Sequence, residues 1–177
     1  MRLKPIPASY WVLPGRFLAG EYPGLRYDEV QTRQRLTAFL NAGFDTFIDL
    51  TSEDERPPYY SMLGEEAGTI GRLVRYQRFS FPDFQVPSHE KMVATLDAID
   101  AALAEGHKIY LHCVGGIGRT GITVGCYLIR HGLKPMEALQ RLRKMYHTTS
   151  QSLLAPQSPE SDDQVNFILN WEEHGLA

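Results

Sequence analysis

Residues 73–112 read LVRYQRFS-FPDFQVP-SHEKMVATLDAIDAALAEG-HKIYLH, and the alternation within them decides the fold. Leu73 to Ser80 has the length and the aromatic and apolar content of a strand, as does Lys108 to His112. Between them Ser88 is placed as an N-cap and Gly106 as a stop, with Met92, Val93, Leu96, Ile99 and Leu103 at helical spacing. Strand, helix and strand make a βαβ unit, whose crossover sets the two strands parallel and brings their carboxyl ends to one edge. Ligands of open parallel sheets bind at that edge. The loop starting at Phe81 and the loop starting at Cys113 are therefore expected to line one pocket.

Outward from this unit, Phe44 to Leu50 reads as another strand, and Asp28 to Asn41 as a helix ended by Gly43. Downstream only helices are expected: Thr120 to His131, Pro135 to His147, and Ser161 to about His174. The first is apolar almost all round (Ile122, Val124, Cys126, Tyr127, Leu128, Ile129), which predicts a central helix packed on both sides. Ser150 to Ser161, rich in Ser, Pro and Gln, reads as a loop. The expected fold is α/β, a mainly parallel central sheet flanked by helices with a helical C-terminal part, as one domain over residues 1–177.

Composition agrees with a globular chain: 177 residues, 43% hydrophobic and 22% charged. A chain of this size buries about 70% of its extended surface and needs no staples. Eighteen Lys and Arg against 21 Asp and Glu leave a net charge of -3, which argues against nucleic-acid and membrane-surface roles. Any anion must be held by a local site. Arg2 and Lys4 are followed by Pro5, Pro7 and Pro14, which interrupt the apolar Tyr10 to Leu13, so no signal peptide is expected. The longest apolar run, Ile122 to Ile129, is far short of the ~20 residues that span a bilayer. Two cysteines, Cys113 and Cys126, point to a reducing, cytoplasmic setting. The six histidines lack metal-ligand spacing, and neither metal nor cofactor is expected.

The chemistry is concentrated in His112-Cys113-Val114-Gly115-Gly116-Ile117-Gly118-Arg119-Thr120-Gly121, between a short strand and a buried helix. Its glycines let successive backbone N–H groups of Val114 to Gly118 turn inward as an anion nest, to which the helix N-terminus adds partial positive charge. Arg119 supplies a planar fork for two phosphate oxygens. Cys113, at the base of the nest, is placed for its thiolate to be stabilised there and to attack phosphorus. Asp83, on the neighbouring loop of the same edge, is the expected general acid and then base.

Other readings carry less. Gly116 to Gly121 is also a literal dinucleotide fingerprint, but the acid it requires ~20 residues on would be Glu137, in a helical segment with no strand before it. Cys126, on an apolar helix, reads as a core residue. Glu53, Asp54, Glu55 and Arg56 read as a solvated loop or as the rim of the pocket.

The cysteine and arginine five residues apart, preceded by His112 and followed by Thr120 and Gly121, resemble the signature of the cysteine-dependent protein tyrosine phosphatase superfamily. The size and the short Asp83 loop are similar to its dual-specificity branch, and Gly115 to Gly121 to the loops of kinase-associated and Cdc14-like phosphatases. The resemblance implies that Thr120 assists departure of the sulfur and that His112 orients the loop. It also implies a phosphorylated protein substrate, carrying phosphotyrosine or also phosphoserine and phosphothreonine. Ser158 to Phe167 is similar to the glutamine loop of larger members, which would make Gln164 the residue that positions water. Helix capping, with Ser158 as N-cap and Pro159 at the first position, explains the same segment except for Gln164. Inositol-lipid or other phosphatase activity, sulfur transfer, and a phosphopeptide-binding chain without chemistry stay open as alternatives. Oligomeric state is not legible.

Overall fold

The structure is a computed structural model that describes residues 3–173. In chain order it contains β1 (Ser9–Leu13), β2 (Phe17–Gly20), α1 (Glu29–Asn41), β3 (Thr46–Asp49), α2 (Tyr60–Thr69) and β4 (Arg75–Arg78). There follow α3 (His89–Ala104), β5 (Ile109–His112), α4 (Gly118–Arg130), α5 (Pro135–Tyr146), a 3-10 turn (Gln151–Leu153) and α6 (Asp162–Leu169). The strands form one sheet in the order β1-β2-β5-β3-β4, parallel except for the β1–β2 hairpin.

Strand β5 lies at the centre because all four of its residues are buried and its side chains alternate between two cores. Ile109 and Leu111 join the core that contains Met92, Leu96 and Ile99 of α3 and Ile122 and Val124 of α4. Tyr110 joins the other, with Phe39 of α1, Phe44, Phe47 and Leu63 of α2. The expected Ser88 cap accepts from Lys91 N at 3.2 Å, and Asp28 caps α1 by accepting from Gln31 N at 2.8 Å.

Strands β4 and β5 are parallel, as expected, with β3 between them bonding both, and their carboxyl ends share one edge. The structure differs from several other expectations. The hairpin of β1 and β2 went unpredicted because its strands are only five and four residues long, joined through Gly15 at φ +81°. Helix α2 carries Gly64 and Gly68, which lower its propensity, and is held instead by burial of Leu63 and Ala67. Helix α4 begins at Gly118 rather than Thr120, and its first ten residues are all buried. Helix α6 ends at Leu169; the expected end at His174 lies outside the described residues, as does Arg2. Its N-cap is Ser161, which accepts from Gln164 N at 3.3 Å, not Ser158. No described helix is long and apolar enough to cross a membrane.

Candidate active site

Cys113 leaves β5 at its carboxyl end and is 3% exposed, with Gly116 N–H donating to Sγ at 3.3 Å. That turn requires glycine: Gly116 has φ +72°, and a β-carbon there would collide with the backbone of Gly20 and Glu21. The loop is tied to the end of β2 by Tyr22 N–H donating to Val114 O at 2.9 Å. Val114, Gly115 and Ile117 are half-buried along it, while Gly118 starts α4.

Arg119, in the first turn of α4, is fully buried. Its two terminal nitrogens donate to both oxygens of Glu55, at 2.7 and 2.5 Å, and Nη2 lies 3.2 Å from Asp83 Oδ1. Nη1 also faces Phe81 O at 3.4 Å. The guanidinium is thus oriented by the loop after β3 and the loop after β4, so the region of Glu53 to Arg56 rims the pocket through Glu55. Hydrogen bonds from Arg119 hold the Glu55 carboxyl below the usual carboxylate range, against the opposing effect of burial. A depressed folded value contributes stability that is complete above the unfolded glutamate value of about 4.3 and is lost as pH falls through the folded value. Thermal melts of wild type and Glu55→Gln are therefore expected to differ at neutral pH and to converge in strong acid. A gap of constant size across that range would remove the ion pair as its source.

Asp83 follows β4 with a 41% exposed side chain, its Oδ1 accepting from Phe84 N–H at 3.1 Å. Phe84 holds φ +58°, an uncommon conformation for a non-glycine residue beside a reactive group. The pocket edge thus brings Cys113 and Arg119, from the single connection between β5 and α4, together with Asp83 from the loop after β4.

His112 is fully buried beneath the loop's first residue. Its Nε2 is 2.7 Å from Tyr59 Oη and its Nδ1 3.1 Å from Cys113 O. Burial pushes its pKa down, opposed chiefly by the Asp49 carboxylate. Asp49 is itself buried and accepts from Thr51 N and Oγ1 at 2.8 and 2.6 Å and from Tyr76 Oη at 2.7 Å. Burial raises its pKa, but the pull of His112 and these donors exceeds that and leaves it below the ordinary range. Asp49, Tyr59 and Tyr76 were not singled out from sequence. The available signal was a carboxylate closing the apolar strand Thr46–Asp49.

Among the described residues Thr120 Oγ1, Arg119 Nε and Gln164 Nε2 are buried without a hydrogen-bond partner, each on or against this loop. Unsatisfied buried polar atoms cost about 1–3 kcal/mol each and concentrate where a ligand is met. Gln164 Oε1 accepts from Glu160 N–H at 3.1 Å, and a β-carbon on Gly118 would meet the Gln164 amide at 2.8 Å. Ser158 Oγ donates to Ile117 O at 2.7 Å. The segment 158–164 is therefore fastened to the phosphate-type loop through Ser158, with the Gln164 amide packed beside Gly118. Cys126 is buried in the core, where desolvation pushes its thiol well above the usual value, as a small hydrophobe would have it.

Residues 7–168 match the family model described as PTP-SAK, Swiss Army Knife protein, DSP-PTPase phosphatase domain. The chain is 31% identical over 98 residues to protein tyrosine phosphatase domain-containing protein 1 of Mus musculus, covering 51% of this chain and 13% of that one. It is 28% identical over 127 residues to dual specificity protein phosphatase CDC14B of Mus musculus, covering 68% of this chain and 24% of the relative. The chain therefore spans less than a third of the length of either curated relative. Among solved structures, Tk-PTP in its active form superposes with a TM-score of 0.70 at 25% identity, over 92% of this chain and 96% of that chain.

Proposed function

The chain belongs to the DSP-PTPase family of cysteine-dependent phosphatase domains, and from that premise we propose that it is a single catalytic domain over residues 1–177 that dephosphorylates phosphoproteins. The observation that carries this reading is the meeting of Arg119, Asp83 and Cys113 at one sheet edge, with Arg119 Nη2 3.2 Å from Asp83 Oδ1.

In this mechanism the Cys113 thiolate attacks phosphorus, the S–P bond forms, and the bond to the leaving oxygen breaks. The amides of Val114 to Gly118 and the Arg119 fork bear the charge on the equatorial oxygens. Asp83 protonates the leaving oxygen and then takes a proton from the water that cleaves the phosphocysteine. Thr120 Oγ1, buried and unpartnered, is free to donate to the departing sulfur. Gln164, whose Nε2 is likewise unpartnered, holds the attacking water. His112, tied to the Cys113 carbonyl, orients the loop without touching substrate.

A protein substrate is favoured over an inositol lipid because residues 114–118 contain no lysine and Arg119 is ringed by carboxylates, which repel a multiply phosphorylated head group. A groove of about 540 Å³ lined by Phe84, Val86 and Phe167 adjoins the Asp83 loop and offers apolar surface to a substrate peptide carrying phosphotyrosine. Phosphate release from a phosphotyrosyl peptide is accordingly expected to exceed that from a phosphoseryl peptide, and that from phosphatidylinositol phosphate vesicles by about tenfold or more. Equal or faster release from the vesicles would replace this reading with a lipid phosphatase. Both cysteines are free, which supports a reducing, cytoplasmic setting.

A further inference from the structure

Three carboxylates surround the phosphate-type loop, and they are not equivalent. Glu55 commits both oxygens to Arg119. Asp83 gives one oxygen to the Arg119 guanidinium and to the Phe84 N–H. Glu160 stands on the third side, with its Oε1 directly over Gly118, where a β-carbon would collide with it. Glycine at 118 leaves room for that carboxyl against the first turn of α4. Among the described residues the Glu160 carboxyl has neither a hydrogen bond nor an ion pair, although its own backbone N–H is held by Gln164 at 3.1 Å. Its support is rigid on both sides, since Ser158 is bonded to Ile117 O and Gln164 is fully buried.

Resting on the phosphatase reading above, we propose that Glu160 is a second general acid and base of the active site, sharing with Asp83 the proton traffic of both chemical steps. In the first step the S–P bond forms as the phosphorus-to-oxygen bond breaks, and the Glu160 carboxylic acid passes its proton to the leaving oxygen. In the second, the resulting carboxylate takes a proton from water as that water attacks phosphorus, the P–S bond breaks, and the Cys113 thiolate is restored. The environment favours an acid role: partial desolvation against the loop and the neighbouring Asp83 charge push the Glu160 pKa up, with Arg119 opposing them. Two carboxyls on different loops also explain how the site can give up a proton on one side of the phosphate while Asp83 remains engaged with Arg119.

The test compares Glu160→Gln, Asp83→Asn and the double variant on p-nitrophenyl phosphate, whose leaving group needs little protonation, and on phenyl phosphate, whose leaving group needs more. Glu160 is exposed and its carboxyl supports no other residue, so Glu160→Gln is expected to fold. The expected result is a loss in kcat of roughly 10²-fold on phenyl phosphate and less than about tenfold on p-nitrophenyl phosphate, with a larger loss in the double variant than in either single one. Glu160→Asp, which keeps an acid on a shorter arm, is expected to recover part of the phenyl phosphate rate. A uniform loss on both esters would make Glu160 a packing residue and overturn the proposal, as would unchanged kinetics on both. No turnover of either ester by the wild type would overturn the phosphatase reading itself, and this proposal with it.

Discussion

Cys113→Ser is expected to reduce kcat for p-nitrophenyl phosphate by on the order of 10⁴- to 10⁶-fold, in reducing buffer without added metal. A serine hydroxyl is almost wholly protonated at neutral pH, and nothing in the loop is placed as a base to activate it. The nearest imidazole, His112, has Nδ1 turned to the Cys113 carbonyl and Nε2 to Tyr59. The substitution removes one chemical step while leaving the cradle intact. Oxygen is smaller than sulfur and introduces no clash, the Gly116 N–H retains an acceptor, and the loop stays tied to Tyr22 and Ser158. Melting temperature and phosphate binding are therefore expected to change little, measured by calorimetry beside the rate. Turnover retained by the serine variant would show that Cys113 is not the nucleophile; turnover lost together with folding would leave the assignment to an alanine variant judged by phosphate binding.

Arg119→Lys is expected to be the second most damaging change, lowering kcat by roughly 10²- to 10³-fold, the magnitude found when one preorganised donor to a developing oxyanion is lost. Charge is conserved in this variant, so the loss measures geometry. A guanidinium presents parallel N–H bonds, which here serve two Glu55 oxygens while Nη2 also reaches Asp83. An ammonium is a point charge that cannot hold that fork and meet two phosphate oxygens together. KM should rise as well, because the fork contacts both ground state and transition state. Since Arg119 is fully buried, the shorter side chain also leaves unfilled space near Glu55, and a modest drop in melting temperature is expected. A kcat within about threefold of wild type would mean that the backbone amides alone carry the transition-state charge.

The fold class was legible because local signals agreed with one another. The apolar spacing of α3, its Ser88 cap and its Gly106 stop identify a helix between two strands, and a βαβ crossover then has one sensible hand. The loop after His112 was legible for a similar reason: glycines, a thiol and an arginine at fixed offsets form a local anion site whose parts are all close in sequence. Elements lacking such agreement stayed hidden. The β1–β2 hairpin is too short to show a period, and the glycines of α2 argue against the helix that burial of Leu63 and Ala67 imposes.

What surrounds the loop was decided in three dimensions. Sequence could read Glu55 only as one charge in a run of Glu, Asp and Arg, since its partner lies 64 positions away. The same holds for Tyr59 on His112 at a separation of 53, and for Glu160 over Gly118. Even the neighbours of β5 follow from β3 entering the sheet between it and β4. A contact within one turn of chain is set by residue types and spacing, because few conformations join those residues. A contact between remote loops depends on which strands become neighbours, and that is settled by burying two apolar cores at once, a property of the whole chain that no single stretch carries.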